Sequence, residues 1–196
     1  MNIARILYPV EVLGPGKRIG IWVCGCDRKC LGCSNPELWN QKPEYEIPVD
    51  KILELINDIS SKFQIDGFTI SGGEPINQKT SLLELLEGIQ GISQDILLYT
   101  GYTLRELQEK NDSNINMILE KLSVLIDGKY IEDKNTNVLL RGSENQKIYI
   151  LNQEFEKKYH EFFKSAHNQI QNFMTYDGVV SVGIHKKGFN NLYCKN

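Results

Sequence analysis

The chain has 196 residues, 41% of them hydrophobic, with 22 Lys and Arg against 25 Asp and Glu. That length supports a full core in one domain with room for an appendage, and the net charge of −3 gives no general attraction to nucleic acid or to an anionic membrane surface. No run reaches the roughly 20 apolar residues that span a bilayer, and Met1 to Pro9 is too short and mixed for a signal peptide, so a cytoplasmic protein is expected. Four of the five cysteines fall between Cys24 and Cys33, which is unlike a disulfide framework and suits a reducing compartment.

The first clear element is the β-prone run Ile19-Gly20-Ile21-Trp22-Val23, and it opens directly onto Gly25-Cys26-Asp27-Arg28-Lys29-Cys30-Leu31-Gly32-Cys33. After a polar stretch to Pro48, Val49 to Phe63 places Ile52, Leu55, Ile56 and Ile59 on one helical face, with Asp50 as its cap. Gly67-Phe68-Thr69-Ile70 reads as a short buried strand, stopped by Ser71-Gly72-Gly73-Glu74-Pro75. A helix carrying Leu82, Leu83, Leu85, Leu86 and Ile89 follows, then a strand over Asp95 to Tyr99, short helices over Leu104 to Lys110 and Ile115 to Leu122, and a strand Val124-Leu125-Ile126. Alternating strands and helices predict βαβ units around a parallel sheet, whose site lies at the carboxyl ends of the strands. The cysteines, Gly72-Gly73-Glu74, Thr100-Gly101 and Asp127-Gly128-Lys129 all fall at such ends.

Beyond Asn152 the pattern changes. Phe155, Tyr159, Phe162, Phe163, Ala166 and Ile170 follow helical spacing, and Asn172 to Ile184 holds β-prone residues around Tyr176-Asp177-Gly178, an Asp-Gly hairpin signal. The expected division is therefore 1–151 as the main body and 152–196 as a helix plus β-hairpin extension.

Three thiolates on one loop, spaced CxxxCxxC, suit an iron–sulfur cluster whose fourth iron has no protein ligand. The alternative is a zinc knuckle, with Cys24, Cys194 or His185 reaching in as a fourth ligand. Cys24 reads as a small buried hydrophobe. Gly72 and Gly73 would let backbone carbonyls approach an ammonium group whose charge Glu74 offsets, although a GG dipeptide alone marks only a tight turn. Asp127, Lys129 and Arg141 read equally as ligand contacts or as solvated charges. The three histidines, His160, His167 and His185, all lie in the tail and read as surface residues.

Together, Cys26-x3-Cys30-x2-Cys33 and Gly72-Gly73-Glu74-Pro75 resemble the radical S-adenosylmethionine superfamily. Gly14-Pro15-Gly16-Lys17-Arg18 and the stretch Asn35 to Trp39 resemble its glycyl-radical-enzyme activases. Within that branch, Tyr99-Thr100-Gly101-Tyr102, Val124 to Tyr130 and Arg141-Gly142-Ser143-x-Asn145-Gln146 look most like the activators of anaerobic ribonucleotide reductases. The resemblance spans about residues 1–150 and implies an α/β fold, a partial (β/α) barrel. It implies a [4Fe-4S] cluster held by Cys26, Cys30 and Cys33, with S-adenosylmethionine chelating the open iron through its amino and carboxylate groups. Gly72, Gly73 and Glu74 would hold the amino group, while Thr100, Asp127, Lys129 and Arg141 would line the rest of the cofactor site. One-electron reduction would then yield a 5′-deoxyadenosyl radical that takes hydrogen from a glycine of a partner glycyl radical enzyme. A flavodoxin- or ferredoxin-type reductant would serve the cluster, and no nucleic acid or membrane is implied as partner. The rival reading is a stand-alone radical enzyme acting on a small molecule or peptide, with the extension closing the site. A zinc- or cluster-bearing binding module without catalysis is the third.

Overall fold

The computed structural model describes residues 1–175 and 178–187. Tyr176 and Asp177, on which the expected hairpin turn falls, and Cys194 lie outside the described residues.

Six strands form one mixed sheet in sequence order: β1 (Ile3–Val10), β2 (Arg18–Val23), β3 (Gly67–Gly72), β4 (Ile96–Tyr99), β5 (Val124–Asp127) and β6 (Lys147–Ile150). The central four, β2 to β5, are parallel, as their intervening helices require. Both edges depart from the parallel expectation: β1 runs antiparallel to β2, and β6 antiparallel to β5. The reason lies in the connections. A short Gly14-Pro15-Gly16 turn joins β1 to β2, and no α-helix separates β5 from β6, so neither link can make a crossover.

The alternation within each strand divides the residues between two faces. Ile19, Ile21, Phe68, Ile70, Ile96, Leu98 and Leu125 enter the larger core beneath helices α1 (Val49–Lys62), α2 (Lys79–Ile89) and α4 (Ser113–Lys121). In α1, Val49, Ile52 and Ile56 are buried, whereas Leu55 stands at the edge of that stripe and is 47% exposed. Pro48 occupies the cap position of α1 and Asp50 bonds only the neighbouring Lys51 N–H, so the expected Asp50 cap does not form. Elsewhere the caps follow side-chain chemistry. Thr103 and Glu106 make a capping box on α3 (Leu104–Glu109), and Asp112 accepts the first N–H groups of α4.

The opposite face carries Trp22, Thr69, Leu97, Tyr99, Val124 and Ile126, and the C-terminal segment covers it. Helix α5 (Glu156–Ser165) brings Tyr159, Phe162 and Phe163 against Leu97, Val124 and Ile126. Ala166 ends that helix in extended backbone and Ile170 starts a strand, so the helical spacing is broken before those two residues. β7 (Ile170–Thr175) and β8 (Gly178–Gly183) pair antiparallel, and Val182 packs with Val10, Leu13, Trp22 and Leu38.

At the amino ends of β2, β4 and β5, a buried polar group ties α5 to the sheet. Arg18, wholly buried, donates to Thr69 Oγ1 at 2.7 Å and through Nη2 to Asp95 Oδ1 at 3.1 Å. Asp95 also accepts from Ser123 Oγ at 3.0 Å, from Tyr159 Oη at 2.7 Å and from Lys158 Nζ at 2.6 Å. Burial works to raise the Asp95 carboxyl, but Arg18, Lys158 and Tyr159 outweigh it and hold the group below its ordinary value. A buried ion pair stabilises only when its remaining hydrogen-bond capacity is met, which the network around Arg18 and Asp95 achieves.

Candidate active site

The carboxyl ends of the parallel strands open onto a cavity lined by Cys26, Cys30 and Cys33, by Gly72, Gly73 and Glu74, and by Thr100. Two loops from different parts of the sequence are knitted together there through backbone atoms. Gly73 N donates to Val23 O at 2.7 Å, Glu74 N to Gly25 O at 2.7 Å, and Gly25 N to Leu38 O at 2.9 Å. Gly72 takes φ +111, and a methyl group on it would run into the Val23 backbone. Glycine is therefore required twice over: for its backbone angle and for the close approach of β2 and the cysteine loop.

Glu74 is 1% exposed, and its carboxylate is already engaged. Oε1 accepts from Ile76 N at 3.0 Å and Thr100 Oγ1 at 2.9 Å, while Oε2 accepts from Gly101 N at 2.7 Å. Burial is the larger influence and lifts its pKa to about 7, against the pull of those donors and of Arg28. The group thus fastens the Thr100-Gly101 turn to the end of β3 and retains acceptor capacity on Oε2 toward a cation in the cavity.

The sulfur environment is graded. Burial raises the Cys30 and Cys33 thiols above their ordinary value; a backbone N–H from Tyr130 opposes this at Cys30. At Cys33 the opposing donor is the Asn35 N–H, 3.4 Å from Sγ, and the Trp39 side chain also favours the thiolate although its buried Nε1 falls short of hydrogen-bond geometry. Among the described residues no three His, Cys, Asp or Glu side chains converge on one point as a single ion demands. Cys24 is fully buried in the apolar cluster of Trp22 and Leu38.

Three of the sequence-derived candidates do not present their side chains to the cavity lining. Asp127 accepts from Leu104 N at 2.7 Å and Lys147 N at 3.1 Å, so it joins α3 and β6 to the end of β5. Lys129 is exposed, and its carbonyl accepts from Asn145. Arg141 donates through Nη1 to Gln146 O at 3.1 Å. Their neighbours line the cavity instead: Gly128, Tyr130, Gly142 and Gln146, the last donating to Gly128 O at 2.8 Å.

The expectation of surface histidines is corrected at one position: His160 and His167 are exposed, whereas His185 is 9% exposed and lines the cavity. It follows β8, and with Ser181, Val182, Gly183 and Ile184 it forms one wall. His185 Nε2 lies 3.1 Å from Ser181 Oγ, and its carbonyl accepts from Asn135 at 2.9 Å. Sequence spacing gives no sign of this, because the wall depends on where the hairpin docks. Arg28 and Trp39, also on the lining, were equally hidden among ordinary polar and aromatic positions.

Residues 12–149 match the family of 4Fe-4S single cluster domains. The chain is 33% identical over 154 residues to the anaerobic ribonucleoside-triphosphate reductase-activating protein of Enterobacteria phage T4, covering 76% of this chain and 94% of that protein. It is 34% identical over 153 residues to the protein of the same name from Escherichia coli K12, covering 74% and 96%. A pyruvate formate-lyase-activating enzyme from Staphylococcus aureus is 30% identical over 161 residues, covering 72% of this chain and 59% of that enzyme. The family match ends before α5 and the hairpin. With the cysteine loop, the glycine turn and these likenesses in register, the chain belongs to the glycyl-radical activase branch of the radical S-adenosylmethionine enzymes, whose cofactors are a [4Fe-4S] cluster and S-adenosylmethionine.

Proposed function

We propose that this chain activates a glycyl radical enzyme, and that its target is an anaerobic ribonucleotide reductase. The observation that carries the reading is the meeting of the cysteine loop with Gly72-Gly73-Glu74 in one cavity, in a chain that covers nearly the whole of the curated reductase activators. Residues 1–151 serve as the cofactor-binding body, a partial (β/α) barrel in type, and 152–196 as an extension to it.

The residues present fit the two cofactors. Cys26, Cys30 and Cys33 would hold the cluster as three soft ligands, one fewer than its four irons. Gly72 and Gly73 would bring backbone close to the amino group, and Glu74, held by three donors, would accept from its N–H groups. Thr100 acts by orienting Glu74. Asp127 and Arg141 act on the site through the backbone they fix, and Lys129 through its charge near Cys30. When bound, the cluster and S-adenosylmethionine supply a one-electron cleavage that generates a 5′-deoxyadenosyl radical; the protein orients the pair and keeps water away. The electron comes from a flavodoxin- or ferredoxin-type protein, and neither nucleic acid nor membrane takes part.

A second reading has its own observation. Ser181 to His185 form a wall of the same cavity that holds the cysteines and the glycine turn, and a cavity so walled suits a smaller substrate acted on without a protein partner. The test of both begins with anaerobic reconstitution, reduction and addition of S-adenosylmethionine. Formation of 5′-deoxyadenosine that requires the reductant supports the radical chemistry; its absence from a chain carrying four irons overturns it. Transfer of hydrogen from a partner's glycine into that product separates activase from stand-alone enzyme.

A further inference from the structure

Within the cysteine loop, Arg28 lines the same cavity as the three cysteines and Glu74. Its guanidinium carbon stands 3.6 Å from the centre of the Tyr102 ring, and its Cγ lies 2.9 Å from where a methyl on Gly101 would sit. The side chain is thus clamped between a ring and a glycine turn. Its Nε and Nη2 atoms are nevertheless buried without a hydrogen-bond partner. Nη2 forms an ion pair with Glu106 Oε1 at 3.7 Å, beyond hydrogen-bond distance and with a carboxylate that is itself 47% exposed, and Asp27 accepts from Tyr102 Oη at 3.1 Å. A guanidinium has donors only, and the ion pair leaves the hydrogen bonds of Nε and Nη2 unmade, a cost that a ligand supplying acceptors would relieve.

The chemistry of the cofactor narrows the choice of acceptor. S-adenosylmethionine carries an ammonium and a sulfonium, both repelled by arginine, and a single anionic group, the carboxylate. A carboxylate is planar and offers about four acceptor positions, so ligation of one iron leaves positions for a guanidinium fork. Resting on the function proposed above, we infer that Arg28 is a binding residue for the carboxylate of S-adenosylmethionine, with Tyr102 as the platform that holds it there. Arg28 and Glu74 then read the two ends of the amino-acid zwitterion with opposite charges. Lysine at this position would keep the charge and lose the fork.

The test measures equilibrium binding of S-adenosylmethionine and of decarboxylated S-adenosylmethionine to the anaerobically reconstituted, oxidised protein. Arg28→Ala and Arg28→Lys are compared with the parent at matched iron content. The expected result is about a tenfold or greater loss of affinity for S-adenosylmethionine in Arg28→Ala, a smaller loss in Arg28→Lys, and a change under about twofold for the decarboxylated probe. Equal weakening of both ligands, or undiminished affinity for S-adenosylmethionine, overturns the assignment. Should Arg28→Ala fail to load iron, Tyr102→Leu reads the same selectivity with the arginine present, and equal effects on both ligands there overturn it as well. Failure of the parent protein to bind S-adenosylmethionine overturns the proposed function itself, which is a distinct outcome.

Discussion

Gly73→Ala probes the junction on which the whole site depends. Gly73 does not have positive φ, so the methyl costs space and not backbone conformation. It would overlap the Gly25 carbonyl oxygen and stand 3.0 Å from the Leu38 carbonyl oxygen, both of them backbone atoms that no rotamer change can move. Relief requires parting the cysteine loop from the glycine turn, at the expense of the 2.7 Å bonds Gly73 N to Val23 O and Glu74 N to Gly25 O. Two backbone bonds at about 1 kcal/mol each, with about 1–3 kcal/mol for overpacking, give a destabilisation of about 3–5 kcal/mol. Gly91 is the control, since a methyl there meets nothing within 4 Å, and Gly91→Ala should change stability by less than about 0.5 kcal/mol. Urea denaturation of the cluster-free chain reads the stability, and iron per chain after reconstitution reads the site. Gly73→Ala should lose on both measures. A Gly73→Ala protein as stable as the parent and equally loaded with iron would refute the claim that these two loops share a rigid backbone contact.

Other outcomes follow from the same geometry. Cys26→Ala, Cys30→Ala and Cys33→Ala should each lose most of their iron, while Cys24→Ala keeps it and is destabilised by about 1 kcal/mol; retention of iron in any of the first three contradicts the ligand set. Tyr159→Phe removes a 2.7 Å bond to the buried Asp95 carboxylate and should lower stability by about 2 kcal/mol in urea, whereas a loss under about 0.5 kcal/mol would detach α5 from the polar network. Glu74 titrates at about 7 in the folded chain against an ordinary 4.5, so the folded state holds the extra proton between those values. Its contribution is full below about pH 4.5 and is lost as pH rises through about 7, a swing of about 3 kcal/mol in the cluster-free chain that Glu74→Gln should abolish. An amine that coordinates iron has already lost its ammonium proton, so the Glu74 contribution is read by difference: N–H groups of that amine favour ionised Glu74, and isothermal titration in two buffers at pH 6 should show more proton release in the parent than in Glu74→Gln, whereas equal release would sever Glu74 from the amino group.

The central strands were legible because Ile19 to Val23, Phe68 to Ile70 and Ile96 to Leu98 are short apolar runs bounded by glycine or polar residues. The strand Ile3–Val10 was not, because Arg5, Tyr8 and Pro9 interrupt its alternation and six of its eight residues are only half-buried. Strand direction is absent from periodicity, so the antiparallel edges emerge only from the lengths and contents of the connections. The cysteine loop and the glycine turn were legible because their chemistry is tied to spacing. Asp127 shows the limit of that logic: an acid at a strand end reads the same whether it meets a ligand or accepts two backbone N–H groups. Arg28 shows the converse, since an arginine on a loop gives no local sign that its nitrogens will be buried. The hairpin was visible as strands, but its place against the cavity rests on distant partners, such as Gln171 Nε2 donating to Pro9 O at 2.7 Å and Val182 packing against Trp22.

The central claim is that the cavity's radical is delivered to a partner's backbone glycine. The direct measurement is electron paramagnetic resonance on an anaerobic mixture of the reconstituted chain, S-adenosylmethionine, reductant and the anaerobic ribonucleotide reductase of the same organism. The expected signal is a glycyl doublet that collapses to a singlet when the reductase is made with deuterated glycine. A mixture that consumes S-adenosylmethionine to 5′-deoxyadenosine and shows no such doublet would contradict the account.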